Sequence, residues 1–250
     1  MSKINHPKNS QKKIFKISVT KNGPYIVSGN LPMVKEIILS DNEGYSAEWG
    51  KGDCYITEEN YELCRCGKSK NKPYCDKTHT KVGFIGTETA KRTKYLEQAK
   101  KISGPELVLT DAKELCAHAR FCDRAKGVWQ LTEDSDDKQS KEIAAQEACD
   151  CPSGRLVVWD KKTGEPIESK LDPSISLVED PERKASGPIW VKGGVPIESS
   201  DGTQYEIRNR VTLCRCGQSK NKPFCDGNHI SIGFTDGDDH LNRIPEIKRK

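Results

Sequence analysis

Two stretches of the chain concentrate its reactive side chains. Cys64–His79 reads CRCGKSKNKPYCDKTH and Cys214–His229 reads CRCGQSKNKPFCDGNH, identical at 12 of 16 positions and offset by 150. Each supplies Cys-x-Cys, eight residues, Cys, three residues, His. Three thiols and an imidazole at this spacing suit a tetrahedral zinc or an iron–sulfur cluster. The tight Cys-x-Cys pair is unusual for a zinc knuckle. It divides naturally for two irons, with Cys64 and Cys66 on one and Cys75 and His79 on the other; Cys214 and Cys216, then Cys225 and His229, divide likewise.

The fuller pattern C-x-C-x2-S-x3-P-x-C-D-x-x-H resembles the CDGSH iron–sulfur domain, the NEET family, through Ser69, Pro73 and Asp76 in the first copy and Ser219, Pro223 and Asp226 in the second. The resemblance implies two [2Fe–2S] clusters, each on three cysteines and one histidine. It also implies that the copies pair within one chain as a pseudo-dimer, in place of the family's homodimer. The copies differ at one telling place: CDKTH has Lys77 where CDGNH has Gly227. If that residue needs a positive φ, lysine there is strained while the ligands stay intact. A neutral imidazole in place of a thiolate raises a cluster's potential, and its protonation labilises the cluster in acid, so His79 and His229 are the expected acid-sensitive ligands.

Between the repeats, ELCAHARFC (114–122) and ACDCPSGRL carry a second cysteine group. Cys116 and Cys122 take the first and third positions of a ferredoxin-like C-x2-C-x2-C run, Ala119 the middle, and Cys151–Pro152 the distant C-P. This resembles a divergent ferredoxin-like 4Fe-4S mono-cluster module. It implies a third cluster: [3Fe–4S] on Cys116, Cys122 and Cys151, or [4Fe–4S] with Cys149 or His118 as fourth ligand. Zinc, or no metal, are the alternatives there. Cys54 has no counterpart in the second copy and reads as a packed thiol.

These sites need elements to hold them. Echoing segments GPYIVSGNLPM (23–33) and GPIWVKGGVPI (187–197), and alternating runs such as YEIRNRVTLC, predict small antiparallel strands. Asp76 and Asp226 are expected to N-cap a short helix at each histidine. Residues 88–101 have helical composition and form a connecting arm. IAAQEA predicts a helix, RLVVWD–KKTG–EPIE a strand, turn and strand, and the proline-bearing stretch 172–185 a linker. The fold class is therefore α+β, β-rich: two CDGSH-type small β modules paired as an intramolecular pseudo-dimer, plus a small ferredoxin-like α+β insert. The boundaries are 1–90, 91–171 (arm and insert) and 172–250.

Composition narrows the function classes. Of 250 residues, 34% are hydrophobic and 31% charged, which suits small cores reinforced by metal. No membrane-length apolar run or signal core is present, and CxC beside histidine is metal-site grammar, so the expectation is a cytoplasmic protein in a reducing compartment. A net charge of +4 with interspersed acids gives no nucleic-acid stripe. No nucleophile–base set, phosphate loop or nicotinamide fingerprint appears, so it is not expected to be an enzyme. The expected function is electron transfer or redox sensing, with cluster transfer as a further role. Its partners would be redox proteins or apo-protein cluster acceptors, and the chain is expected to be a monomer. The alternative is a zinc-binding interaction module without redox activity.

Overall fold

The computed structural model describes residues 14–237 and Leu241. Short apolar–polar alternations set its strands, because successive side chains point to opposite faces and only one face is covered. In chain order the first half gives β1 (Lys16–Val19), β2 (Tyr25–Ser28), β3 (Met33–Ser40), β4 (Ser46–Tyr55), β5 (Asn60–Leu63) and α1 (Thr78–Lys81). The middle gives α2 (Tyr95–Gln98), β6 (Lys100–Ser103), β7 (Leu107–Asp111), α3 (Val128–Glu133), α4 (Lys138–Asp150) and β8 (Leu156–Asp160). The last part gives β9 (Ser174–Asp180), β10 (Ala185–Lys192), β11 (Ile197–Glu198), β12 (Arg210–Leu213) and α5 (Asn228–Ser231). The fold is α+β and β-rich.

Among the described residues three sheets form, ordered β11-β1-β2-β5, β12-β10-β9-β3-β4 and β6-β7-β8. The first two each combine strands from both repeats. After β2, Gly29 and Asn30 take positive φ (93° and 52°) and Leu31–Pro32 follows; after β10, Gly193 and Gly194 do the same (74° and 70°) before Val195–Pro196. Each turn carries the chain out of its own sheet and into the other. Thus β3 runs parallel to β9 with Met33 opposite Ile175, and β11 runs parallel to β1 with Ile197 opposite Ile17. The echo GNLPM/GGVPI is this paired crossover, and it adds parallel contacts to the antiparallel ones expected.

The main core lies between these two sheets and draws on both repeats: Ile17, Tyr25, Val27 and Leu63 pack with Ile175, Leu177, Ile189 and Leu213. Burying each such side chain contributes about 1.5–3 kcal/mol, so neither repeat keeps its core without the other. Tyr25 is fully buried and donates its hydroxyl to the carbonyls of Cys214 (2.8 Å) and Pro223 (3.1 Å), tying a first-half strand to the second cysteine loop. Tyr25→Phe leaves two buried carbonyls without this donor. It is expected to cost about 1–2 kcal/mol in denaturant unfolding. The middle module has its own core of Leu107, Leu109, Val128, Leu131, Ala144 and Leu156.

Several expectations change. The stretch 172–185 is not a linker: it contains β9, buried along Ile175–Asp180 in the middle of the largest sheet, because Ile175, Leu177 and Val178 cover apolar neighbours while its prolines sit outside the strand. Only Tyr95–Gln98 of the arm is helical, and EPIE makes one bridge, Trp159 to Pro166, instead of a strand. IAAQEA lies within α4 as expected, capped by Asp137, whose carboxylate accepts from the Ser140 N–H. No helix among the described residues is long and apolar enough to cross a membrane.

Candidate iron–sulfur sites

Each repeated motif folds as a loop pinned to the end of a strand. In the first, Cys64 N–H donates to the Pro73 carbonyl and Cys75 N–H to Glu62, closing the loop on β5; in the second, Cys214 to Pro223 and Cys225 to Thr212 repeat this on β12. Asp76 does not N-cap α1 as expected. Lys77 is the cap residue, with φ 66°, and Asp76 acts one place earlier, accepting from Thr78 N–H (2.9 Å) and Lys70 N–H (2.8 Å). Asp226 does the same with Asn228 and Lys220, and Gly227 is the cap at φ 81°. An Asx turn at this point aims each histidine back at its cysteine.

The ligand atoms come in facing pairs. Sγ–Sγ distances are 3.8 Å for Cys64–Cys66 and 3.6 Å for Cys214–Cys216, while Sγ–Nδ1 distances are 3.3 Å for Cys75–His79 and 3.4 Å for Cys225–His229. Among the described residues no three such groups converge as they would around a single metal ion. Main-chain N–H groups of Lys68, Lys77 and Gly227 point at the sulfurs of Cys66, Cys75 and Cys225, each at 3.4 Å. Accepting a hydrogen bond from the second thiol pulls the first thiol of each Cys-x-Cys pair down to about 6, while donating that bond, and then burial, push the second up. A thiol–thiolate pair opposite a cysteine–histidine pair, with main-chain donors to sulfur in both, fits a two-iron cluster.

The loops also touch one another. Gly67 (φ 73°) and Gly217 (φ 80°) come so close to the opposite motif that an added Cβ would lie 2.5 Å from the carbonyls of Cys216 and Cys66 respectively. A side chain at either position would push the two sites apart.

The surroundings of the two sites differ. Cys75 and His79 are half-buried and Lys77 is exposed, whereas Cys225 and His229 are 2% and 3% exposed. The cover on the second site comes from the middle module: the His118 ring fills the space that a Cβ on Gly227 would need. Burial, chiefly, lowers the His229 pKa to about 4. The glycine in CDGNH is thus required twice, by its φ and by its neighbour, while Lys77 bears only the φ strain. Lys77→Gly is expected to raise stability by about 1 kcal/mol in thermal or denaturant unfolding, with ligation unchanged.

In the middle module Cys116, Cys122 and Cys151 line one small cavity with Ala117, Ala119 and Pro152. Arg155, held by Asp111 at 2.6 and 2.8 Å, donates to Cys116 Sγ at 3.1 Å. The three thiols thus border one pocket beside a guanidinium that can offset thiolate charge, although among the described residues no three of them converge as around a single metal ion. Cys149 does not line the pocket; its thiol donates to the Ile167 carbonyl at 3.3 Å. His118 borders it but packs on Gly227. Cys54 is exposed in β4, not packed as expected, because among the described strands β4 is the edge, pairing only with β3. All eleven cysteines are free.

Sequence reasoning missed Arg155 and the carboxylates around Arg215. Arg215 pairs with Glu179 and Asp236, each at 2.6 Å, and Lys35 lies 3.9 Å from Glu179. Glu179 sits in the stretch read as a linker, which hid it. A cleft of about 380 Å³ lies between the arm and the second motif, where Arg92 donates to Ser199 and Glu206 accepts from the Tyr95 N–H.

Family models match residues 22–80 and 186–230 as iron-binding zinc finger of CDGSH type, and residues 102–161 as divergent 4Fe-4S mono-cluster. The chain is an iron–sulfur protein. It carries two CDGSH-type iron-binding motifs flanking a divergent 4Fe-4S mono-cluster module, which matches a tandem CDGSH description. No curated protein and no solved structure matches it.

Proposed function

We propose that the chain holds two [2Fe–2S] clusters, on Cys64, Cys66, Cys75 and His79 and on Cys214, Cys216, Cys225 and His229, and carries single electrons or senses redox state without catalysing a reaction of its own. The observation that carries this reading is the arrangement of each ligand set as two facing pairs, which suits two irons better than one zinc. When bound, such clusters supply a one-electron couple. The protein's residues supply main-chain donors to the sulfurs, and the neutral imidazole raises the potential. A third cluster, [3Fe–4S] or [4Fe–4S], belongs on Cys116, Cys122 and Cys151, with Arg155 balancing thiolate charge.

The repeats pair as an internal pseudo-dimer, supported by the reciprocal β3/β9 and β11/β1 pairings and the Gly67–Gly217 approach. Partners are redox proteins or cluster acceptors, which would meet the half-buried first site. The free cysteines accord with a reducing compartment such as the cytoplasm. A visible spectrum with iron, sulfide and zinc analysis on anaerobically purified protein tests the reading. Colour with four irons supports two clusters, and seven or eight support a filled middle site. A colourless protein with stoichiometric zinc overturns it.

A further inference from the structure

The arginine between the first two cysteines is common to both motifs, yet its charge is handled differently. Arg215 is 4% exposed and is matched, together with Lys35, by Glu179 and Asp236. Arg65 is as buried, but its guanidinium donates to the main-chain carbonyls of Thr20 (3.0 Å) and Gly86 and lies over the rings of Tyr25 and Phe84. Among the described residues no carboxylate is paired with it. Two further positions separate the motifs in the same sense: Lys68 and Lys77 face Gln218 and Gly227 at the matching places. Glu62, whose charge is felt at Cys75, offsets one of these. The first site therefore keeps a surplus of two positive charges over the second, where Arg120, felt at His229 together with Arg215 and His118, is paired to Asp180 at 2.6 Å.

Solvent exposure acts in the same direction. Adding an electron adds negative charge, which is disfavoured in a buried, neutral site and favoured in an exposed, positive one. Cys225 and His229 are enclosed, Cys75 and His79 are not.

We propose, building on the two-cluster reading, that Glu179 and Asp236 hold the second site at a lower reduction potential than the first, making the chain a directional one-electron relay from the enclosed site to the exposed one. A one-electron donor protein carrying reduced flavin or an iron–sulfur centre loses one electron. That electron passes through the second site and rests at the first, from which an oxidised one-electron acceptor protein takes it. No bond forms or breaks and no proton moves. The contact of Gly67 with Cys216 and of Gly217 with Cys66 keeps the path short.

The test is a spectroelectrochemical titration of the full chain, with iron and sulfide measured on the same sample. His79→Cys and His229→Cys assign the steps, because each lowers only its own. Two steps are expected, with at least a tenfold preference of the electron for the first site, or 59 mV for one electron. Glu179→Gln keeps hydrogen-bonding capacity and is expected to raise only the lower step, narrowing the preference to threefold or less. Lys68→Gln with Lys77→Gly, both on the surface, is expected to lower only the upper step, so the inference stays testable if Glu179→Gln does not fold. Coincident potentials, the reverse order, or a Glu179→Gln shift at the first site would overturn the relay while leaving the two-cluster reading intact. Absence of iron and sulfide would overturn both.

Discussion

Gly227→Lys, which gives the second motif the residue the first has at 77, is expected to lower stability by more than about 3 kcal/mol and to reduce iron at the second site. Two costs combine. A side chain at φ 81° costs about 1–2 kcal/mol. Its Cβ would also need the space held by the His118 ring, so the loop 116–122 must shift away from the second site. Pairing the change with His118→Gly separates the costs: the double variant is expected to recover the steric part and leave the φ part, as a double-mutant cycle in denaturant unfolding would read. Lys77→Ala, at an exposed residue, is expected to stay within about 1 kcal/mol of the parent. Equal effects at 77 and 227 would mean that His118 does not bear on the second site.

Glu147→Gln is expected to make the protein more stable, and increasingly so as pH rises. Glu147 is fully buried on α4, and neither carboxylate oxygen has a hydrogen-bond partner. Burial, partly offset by the Arg124 charge, raises its pKa from 4.5 to about 8. Below about 4.5 the group is protonated folded or unfolded and costs nothing extra. Between 4.5 and 8 the folded chain must retain a proton that the unfolded chain releases, so stability falls with pH, and above 8 it levels off. At 1.36 kcal/mol per unit, the advantage of glutamine should grow by about 2–3 kcal/mol between pH 6 and pH 8.5. Denaturant midpoints of both proteins at the two pH values measure it; a constant difference would show that Glu147 is solvated or paired.

Both expectations concern residues whose importance is uneven in the sequence. Gly227 stands inside a motif and its contrast with Lys77 can be read directly, including the need for positive φ, which both residues adopt. The role of His118 there could not be read, because it lies 109 positions away and resembled a cluster ligand. Glu147 sits in a run of helix-forming residues where a carboxylate is ordinarily solvated, and only the packing of α4 against α3, β8 and the 121–123 turn buries that face of the helix.

The sequence by itself determined the candidate ligand types, their division into pairs, the repeat and the separate middle module, because the spacing of such residues within sixteen positions is a local property of the chain. It also showed the echo of GNLPM and GGVPI, though not that these turns cross between sheets. Only the tertiary structure decided that β9 is a central strand, that the repeats exchange β3 and β11, and that the second site is covered while the first is open. It alone joined Glu179 and Asp236 to Arg215 and left Arg65 to carbonyls. The physical reason is the range of each effect: coordination spacing and turn conformation act over a few residues, whereas burial and charge balance depend on which distant segments pack together.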